Sequence, residues 1–139
     1  MSGINTRRLM LASLVAGILD NVLDGVISAF FLSGDVKEIL TRLNIDEAAL
    51  RSSAWIIILG DFLYGFLLVF TYVAMRPRFR PGPKTAVISA LSIWSVMAIT
   101  LSFLLVLQLY SMSGFLRNAL LYLLASIIVS IVGAAIYKE

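Results

Sequence analysis

The chain alternates long unbroken apolar runs with short polar segments, and the runs set the architecture. Four stretches, Leu9–Leu32, Ala54–Met75, Thr85–Tyr110 and Phe115–Tyr137, are almost free of charge. Each exceeds the roughly 20 residues that a helix needs to cross a bilayer. None alternates polar with apolar residues over short segments, so barrel strands do not fit. The pattern predicts four transmembrane helices. Between the first two spans, Val36, Ile39, Leu40 and Leu43 fall at i, i+3, i+4 and i+7. That spacing predicts an amphipathic interfacial helix over Asp35–Leu43, with Lys37, Glu38 and Arg42 towards water. Asp46, with Glu47 behind it, has the character of an N-cap for a helix leading into the second span.

Composition strengthens this reading. The 139 residues are 60% apolar and 14% charged, whereas soluble domains carry about 25% charge. The fold class expected is all-α, a single polytopic four-helix membrane bundle over residues 1–139. Arg7 and Arg8 ahead of the first run imitate a signal peptide. Asp20 and Asp24 interrupt the apolar region and no clear cleavage site follows, so a retained first span is expected.

Charge gives the expected orientation. Arg7, Arg8, Arg76, Arg78, Arg80, Lys84 and Lys138 fall on one side of the spans. Lys37, Arg42, Arg51 and Arg117 fall on the other, diluted by Asp35, Glu38, Asp46 and Glu47. Basic residues stay cytoplasmic, so both termini are expected inside. Phe30, Phe31, Trp55 and Tyr110 would then mark outer boundaries, and Tyr72 and Tyr137 inner ones. Pro77, Pro81 and Pro83 lie in the turn between the second and third spans, where proline is expected to stop one helix and open the next. Arg76, Arg78, Arg80 and Lys84 of this turn serve either as topology determinants or as contacts for anionic lipid headgroups.

Several chemistries are excluded. Without cysteine there is no disulfide, thiol nucleophile or cysteine-ligated cluster; without histidine the commonest metal ligand and general base are missing. Neither a metal site nor a cofactor is expected. The net charge of +3 is small and divided, which argues against nucleic-acid binding. Leu59-Gly60-Asp61-Phe62 overlaps an intramembrane protease motif only in part, and no second element supports it, so no enzymatic activity is expected.

The most informative residues are acids inside the spans. Asp20, Asp24 and Asp61 are embedded in apolar sequence, and no Lys or Arg shares their spans' interior. An Asp at mid-span costs about 2.5–3.5 kcal/mol, while each Leu, Ile, Val or Phe contributes roughly −0.3 to −0.6 kcal/mol. The first span's apolar residues therefore only roughly offset its two acids, and it should depend on its neighbours. Asp24 and Asp61 sit at similar depth on consecutive spans; Asp20 lies one turn deeper on the face of Asp24. Asn21, Ser28 and Tyr64 extend the polar region. Such carboxyls act as neutral hydrogen-bonding groups, share protons or a cation, or meet a basic residue of another protein.

Small residues supply the packing signal. Ser13, Gly17, Asn21, Gly25 and Ala29 recur every four residues in the first span; Gly60 and Gly65 flank Asp61; Ser126, Ser130 and Ala134 form a shorter ridge in the fourth. Ridges of this kind admit close helix approach, inside one bundle or between subunits. Ser89, Ser92, Ser95, Thr100 and Ser102 of the third span can bond other helices or their own backbone.

Gly60-Asp61-Phe62-Leu63-Tyr64-Gly65, followed by Arg76-Pro77-Arg78-Phe79 and Pro81-Gly82-Pro83-Lys84-Thr85-Ala86, resembles small bacterial four-span inner-membrane proteins of uncharacterised activity. The similarity covers the middle third of the chain and an Asn21/Asp24 pairing in the first span. It implies multi-pass insertion in a bacterial inner (plasma) membrane and brings no activity, cofactor or site. The function expected from the residues is a non-enzymatic accessory or assembly subunit of a membrane complex; the alternative is a small proton- or cation-coupled carrier or channel using the acids. The lipid bilayer is the expected partner in both, with a homo-oligomer or a larger membrane-protein complex beside it.

Overall fold

A computed structural model describes residues 4–137, all helix and turn among them. The elements are α1 (Thr6–Phe30), α2 (Ser33–Arg42), α3 (Glu47–Ser52), α4 (Ala54–Phe79), α5 (Pro83–Val106) and α6 (Met112–Ile136). Helices α1, α4, α5 and α6 are each long and apolar enough to cross a membrane, so the chain is a multi-pass membrane protein built as a four-helix bundle. Each long helix packs against the next in the cyclic order α1–α4–α5–α6, with α6 closing back on α1 and α4 crossing diagonally to α6.

Local chemistry explains the helix starts. The Asn5 side chain accepts the Arg8 N–H at 3.0 Å, and Ser111 accepts the Gly114 N–H at 3.1 Å. Asp46 caps α3 through the Ala48 N–H at 3.3 Å, as its sequence position predicts. That helix does not run into the second span; it breaks at Ser53, and α4 begins afresh. Pro83 opens α5, where its missing N–H has no intrahelical partner to lose.

Three boundaries differ from the apolar pattern. Pro77 does not stop α4. It lies in the last turn, where a single backbone bond is lost, and the helix continues to Phe79. The break comes at Arg80, whose φ is +69°, and the Thr85 hydroxyl donates to the Arg80 carbonyl at 2.6 Å. The third span ends at Val106 and not at Tyr110, because Gln108 takes a left-handed φ of +57° and Ser111 starts α6 at Met112. The amphipathic helix spans Ser33–Arg42, with Lys37, Glu38 and Arg42 exposed as its pattern predicts. Lys138, part of the charge bias, lies outside the described residues.

The larger buried cluster sits towards one end, and a smaller one, Ile27, Leu32 and Ala125, towards the other. The end with the larger cluster, the basic end, carries Arg7, Arg76, Arg78, Arg80 and Lys84, and brings both ends of the described chain together: the Asn5 N–H donates to the Tyr137 hydroxyl at 3.1 Å. Leu9, Ala12, Ala16, Leu68, Val69, Tyr72, Ala86, Ala90 and Val129 are buried there. Small residues set the spacing. A Cβ on Gly65 would lie 2.7 Å from the Gly17 nitrogen and 2.9 Å from its Cα, so α1 and α4 meet backbone to backbone. A Cβ on Gly133 would overlap Val69 Cγ2. Serines fasten these helices: Ser89 donates to the Leu68 carbonyl at 2.7 Å and Ser130 to the Ala86 carbonyl at 2.8 Å. Ser92, Ser95, Thr100 and Ser102 bond their own helix.

Candidate functional site

The opposite end, capped by α2 and α3, holds the acids. Counting back from Phe30 on α1 and forward from Ala54 on α4, Asp24 and Asp61 both lie about 10 Å from that end. The packing of α1 against α4 brings the three carboxyls within electrostatic range: Asp61 and Asp24 both bear on Asp20, and Asp24 bears on Asp61. Asp20 is 6% exposed and makes no hydrogen bond or ion pair with any described residue. Asp24 is half-buried and accepts a hydrogen bond from the Tyr122 hydroxyl of α6. Asp61 is half-buried.

Neighbouring polar groups form a second layer. The Asn21 amide donates to the Gly17 carbonyl of its own helix at 2.9 Å and to the Ile58 carbonyl of α4 at 3.3 Å. It thereby links the two acid-bearing helices. Tyr64 reaches the region by another route than contact with a carboxylate. Its hydroxyl pairs with the Ser126 hydroxyl at 2.8 Å, within electrostatic range of Asp20. Ser126 also donates to the Tyr122 carbonyl at 2.6 Å. Hydroxyls of α6 thus line the side of the cluster that faces α1 and α4.

Sequence reasoning missed Tyr122. Its signal was available, since Tyr122, Ser126 and Ser130 recur every four residues on α6, but an aromatic residue in an apolar run reads as lipid-facing. It also missed Arg117, whose guanidinium grips both oxygens of Asp35 at 2.8 Å. This pair holds α2 against α6, and Arg42 adds a bond to the Gln108 carbonyl.

The small-residue ridges divide. Ser13, Gly17, Gly65, Ser126 and Ser130 are buried in helix contacts. Gly25 is not: it is exposed, and a Cβ there would meet nothing within 4 Å. A four-residue repeat advances about 40° per step around a helix of 3.6 residues per turn. Two steps beyond Gly17 the ridge has turned off the α1–α4 seam. Ala29 and Gly60 are exposed as well.

The basic turn is built inward as well as outward. The Arg76 guanidinium lies 5.1 Å from the Tyr137 ring centre and 6.0 Å from that of Tyr72. Arg78, Arg80 and Lys84 are exposed.

Chemically, the cluster can hold protons. Three neighbouring carboxyls in an apolar surrounding do not all ionise unless a cation joins them. Among the described residues no three acidic side chains converge as metal ligands do. No protein-family model, curated protein or solved structure matches the chain, so the architecture and the cluster stand on its own residues.

Proposed function

We propose that this chain is a non-enzymatic membrane protein that binds protons at Asp20, Asp24 and Asp61, acting as a small proton-coupled carrier or channel. The observation that carries the reading is Asp20: a residue 6% exposed, beside two further carboxyls, whose carboxyl oxygens bond no described residue and are not sealed from solvent. A neutral structural carboxyl would be expected to donate its proton to a neighbour. An acid inside a span is by default a candidate functional site, and proton relays are among its uses. Tyr122 on Asp24 supplies a hydroxyl through which a proton could be relayed. The setting proposed is a bacterial inner membrane with both termini cytoplasmic, supported by the basic residues gathered at one end.

Proteoliposomes carrying a pH dye inside test this. Under an imposed proton gradient, the wild-type chain should equilibrate the lumen faster than empty vesicles, and Asp20→Asn and Asp61→Asn should fall to the empty-vesicle rate while inserting normally. A wild-type rate equal to that of empty vesicles would count against the proposal.

A second reading, an accessory or assembly subunit, is favoured by one observation. Gly25 and Gly60 adjoin Asp24 and Asp61 in sequence and are open. A partner helix could approach closely there and bring a Lys or Arg to the acids. Native mass spectrometry from the source membrane separates the two. A reproducible hetero-complex that Asp24→Asn or Asp61→Asn dissociates would establish the second reading. A homo-oligomer or monomer would favour the first.

A further inference from the structure

The basic end contains a cleft of about 470 Å³ that the carboxyl cluster does not use. Tyr72 and Arg76 of α4 form one wall, Pro81 and Pro83 the turn, and Ile131 and Ala135 of α6 the opposite wall. We propose that this cleft seats one anionic phospholipid, its phosphate at the Arg76 end and an acyl chain along α6.

Charge complementarity and position support this occupant. Arg76 to Lys84 contains no acidic residue. Arg78, Arg80 and Lys84 are exposed and join none of the ion pairs among the described residues. They flank the Pro81–Pro83 turn on both sides and surround a phosphate with positive potential. The Tyr72 hydroxyl, held by the Gly82 N–H at 3.4 Å, offers a polar group in the same cleft. The other wall is apolar, and Ile131 and Ala135 are exposed on the lipid-facing surface of α6. The cleft lies in the last turns of α4 and α6, the level at which headgroup meets acyl chain. Proline on both sides of Gly82 keeps the turn in one shape, so the cleft is formed before its ligand arrives.

The test is native mass spectrometry of the full chain in detergent, mixed with phosphatidylglycerol or phosphatidylcholine of matched acyl chains. One retained phosphatidylglycerol per chain is expected, with far less phosphatidylcholine. Two variants separate a seat from diffuse attraction. Ala135→Phe fills the cleft and leaves the charge unchanged. Arg80→Asn with Lys84→Gln removes two charges and leaves the cleft. Each should lower phosphatidylglycerol retention, the double variant by about tenfold or more, given the contribution of each basic residue near an anionic surface. Equal retention of both lipids would overturn the proposal, since an apolar groove alone would suffice. So would wild-type retention by Ala135→Phe, which would reduce the effect to loop charge. If Ala135→Phe does not fold, the lipid preference of the wild type and the double variant still decide.

Discussion

The two ends of this bundle are built from similar residues and behave differently. At the basic end the helices touch through glycine, alanine and serine, and all the fully buried residues of α4 lie between Gly65 and Val73. At the α2–α3 end, Trp55 to Gly60 are exposed on every face of α4, and Val96, Ile99, Phe103 and Val106 are exposed on α5. Lipid tails are as apolar as leucine, so exposure costs such side chains nothing, and burial inside the bundle gains little by itself. Close backbone approach and side-chain-to-backbone hydrogen bonds therefore decide where the helices adhere. The α1–α4 seam is tightest from mid-bundle to the basic end, while α1, α5 and α6 stay packed at the α2–α3 end through Ile27, Leu32, Ala119 and Ala125. The α2–α3 end leaves room for the carboxyls.

That contrast can be broken on purpose. The largest effect is expected at Gly65. Gly65→Leu would drive a side chain into the Gly17 backbone, which cannot rotate away, and should cost about 3 kcal/mol of unfolding free energy in mixed micelles. Gly60→Leu, five residues away on the same helix, should stay within about 0.5 kcal/mol of wild type in the same titration, because nothing lies within 4 Å. Equal losses at the two sites would abolish the distinction between the tight α1–α4 seam and the open start of α4. Next comes Ser89→Ala, which removes the bond to the Leu68 carbonyl and should cost about 0.6–1 kcal/mol. Ser95→Ala, whose hydroxyl bonds only its own helix, should be nearly neutral. A smaller loss than at Ser89 is expected at Arg117→Gln. Its partner Asp35 is largely covered but Arg117 is half exposed, so about 0.5 kcal/mol is the expected scale. Hydrogen exchange should nevertheless accelerate in α2 alone, since this pair and the Arg42 bond are what hold α2 across the end of the bundle.

The sequence carried the spans plainly, because a run of twenty apolar residues has few other meanings. It carried α2 through its i, i+3, i+4, i+7 spacing and α3 through Asp46, since both lie outside the four spans, where polar and apolar faces differ. Inside the membrane that contrast vanishes. The facing of a span is written only in small and polar residues, and these are ambiguous. Gly17 and Gly25 belong to one four-residue repeat, yet one is in the seam and the other is out of it, because the repeat and the helix turn at different rates. Pro77 looked like a stop and is tolerated because it falls in a last turn. The level placement of Asp24 and Asp61 could be counted from span ends. The partnership of Tyr122 with Asp24 could not, because it depends on α6 closing against α1, a contact between helices 98 positions apart in sequence.

Proton binding at the three carboxyls requires them to exchange protons with the surroundings while the bundle stays folded. Infrared difference spectroscopy of the reconstituted chain, between mildly acidic and mildly alkaline buffer, reads this directly. A protonated-carboxyl band is expected that appears and disappears reversibly with pH, and that Asp20→Asn removes or shifts without loss of helix signal. A carboxyl band that persists unchanged across the range, or one that Asp20→Asn, Asp24→Asn and Asp61→Asn all leave unaltered, would contradict it and make the acids fixed structural groups.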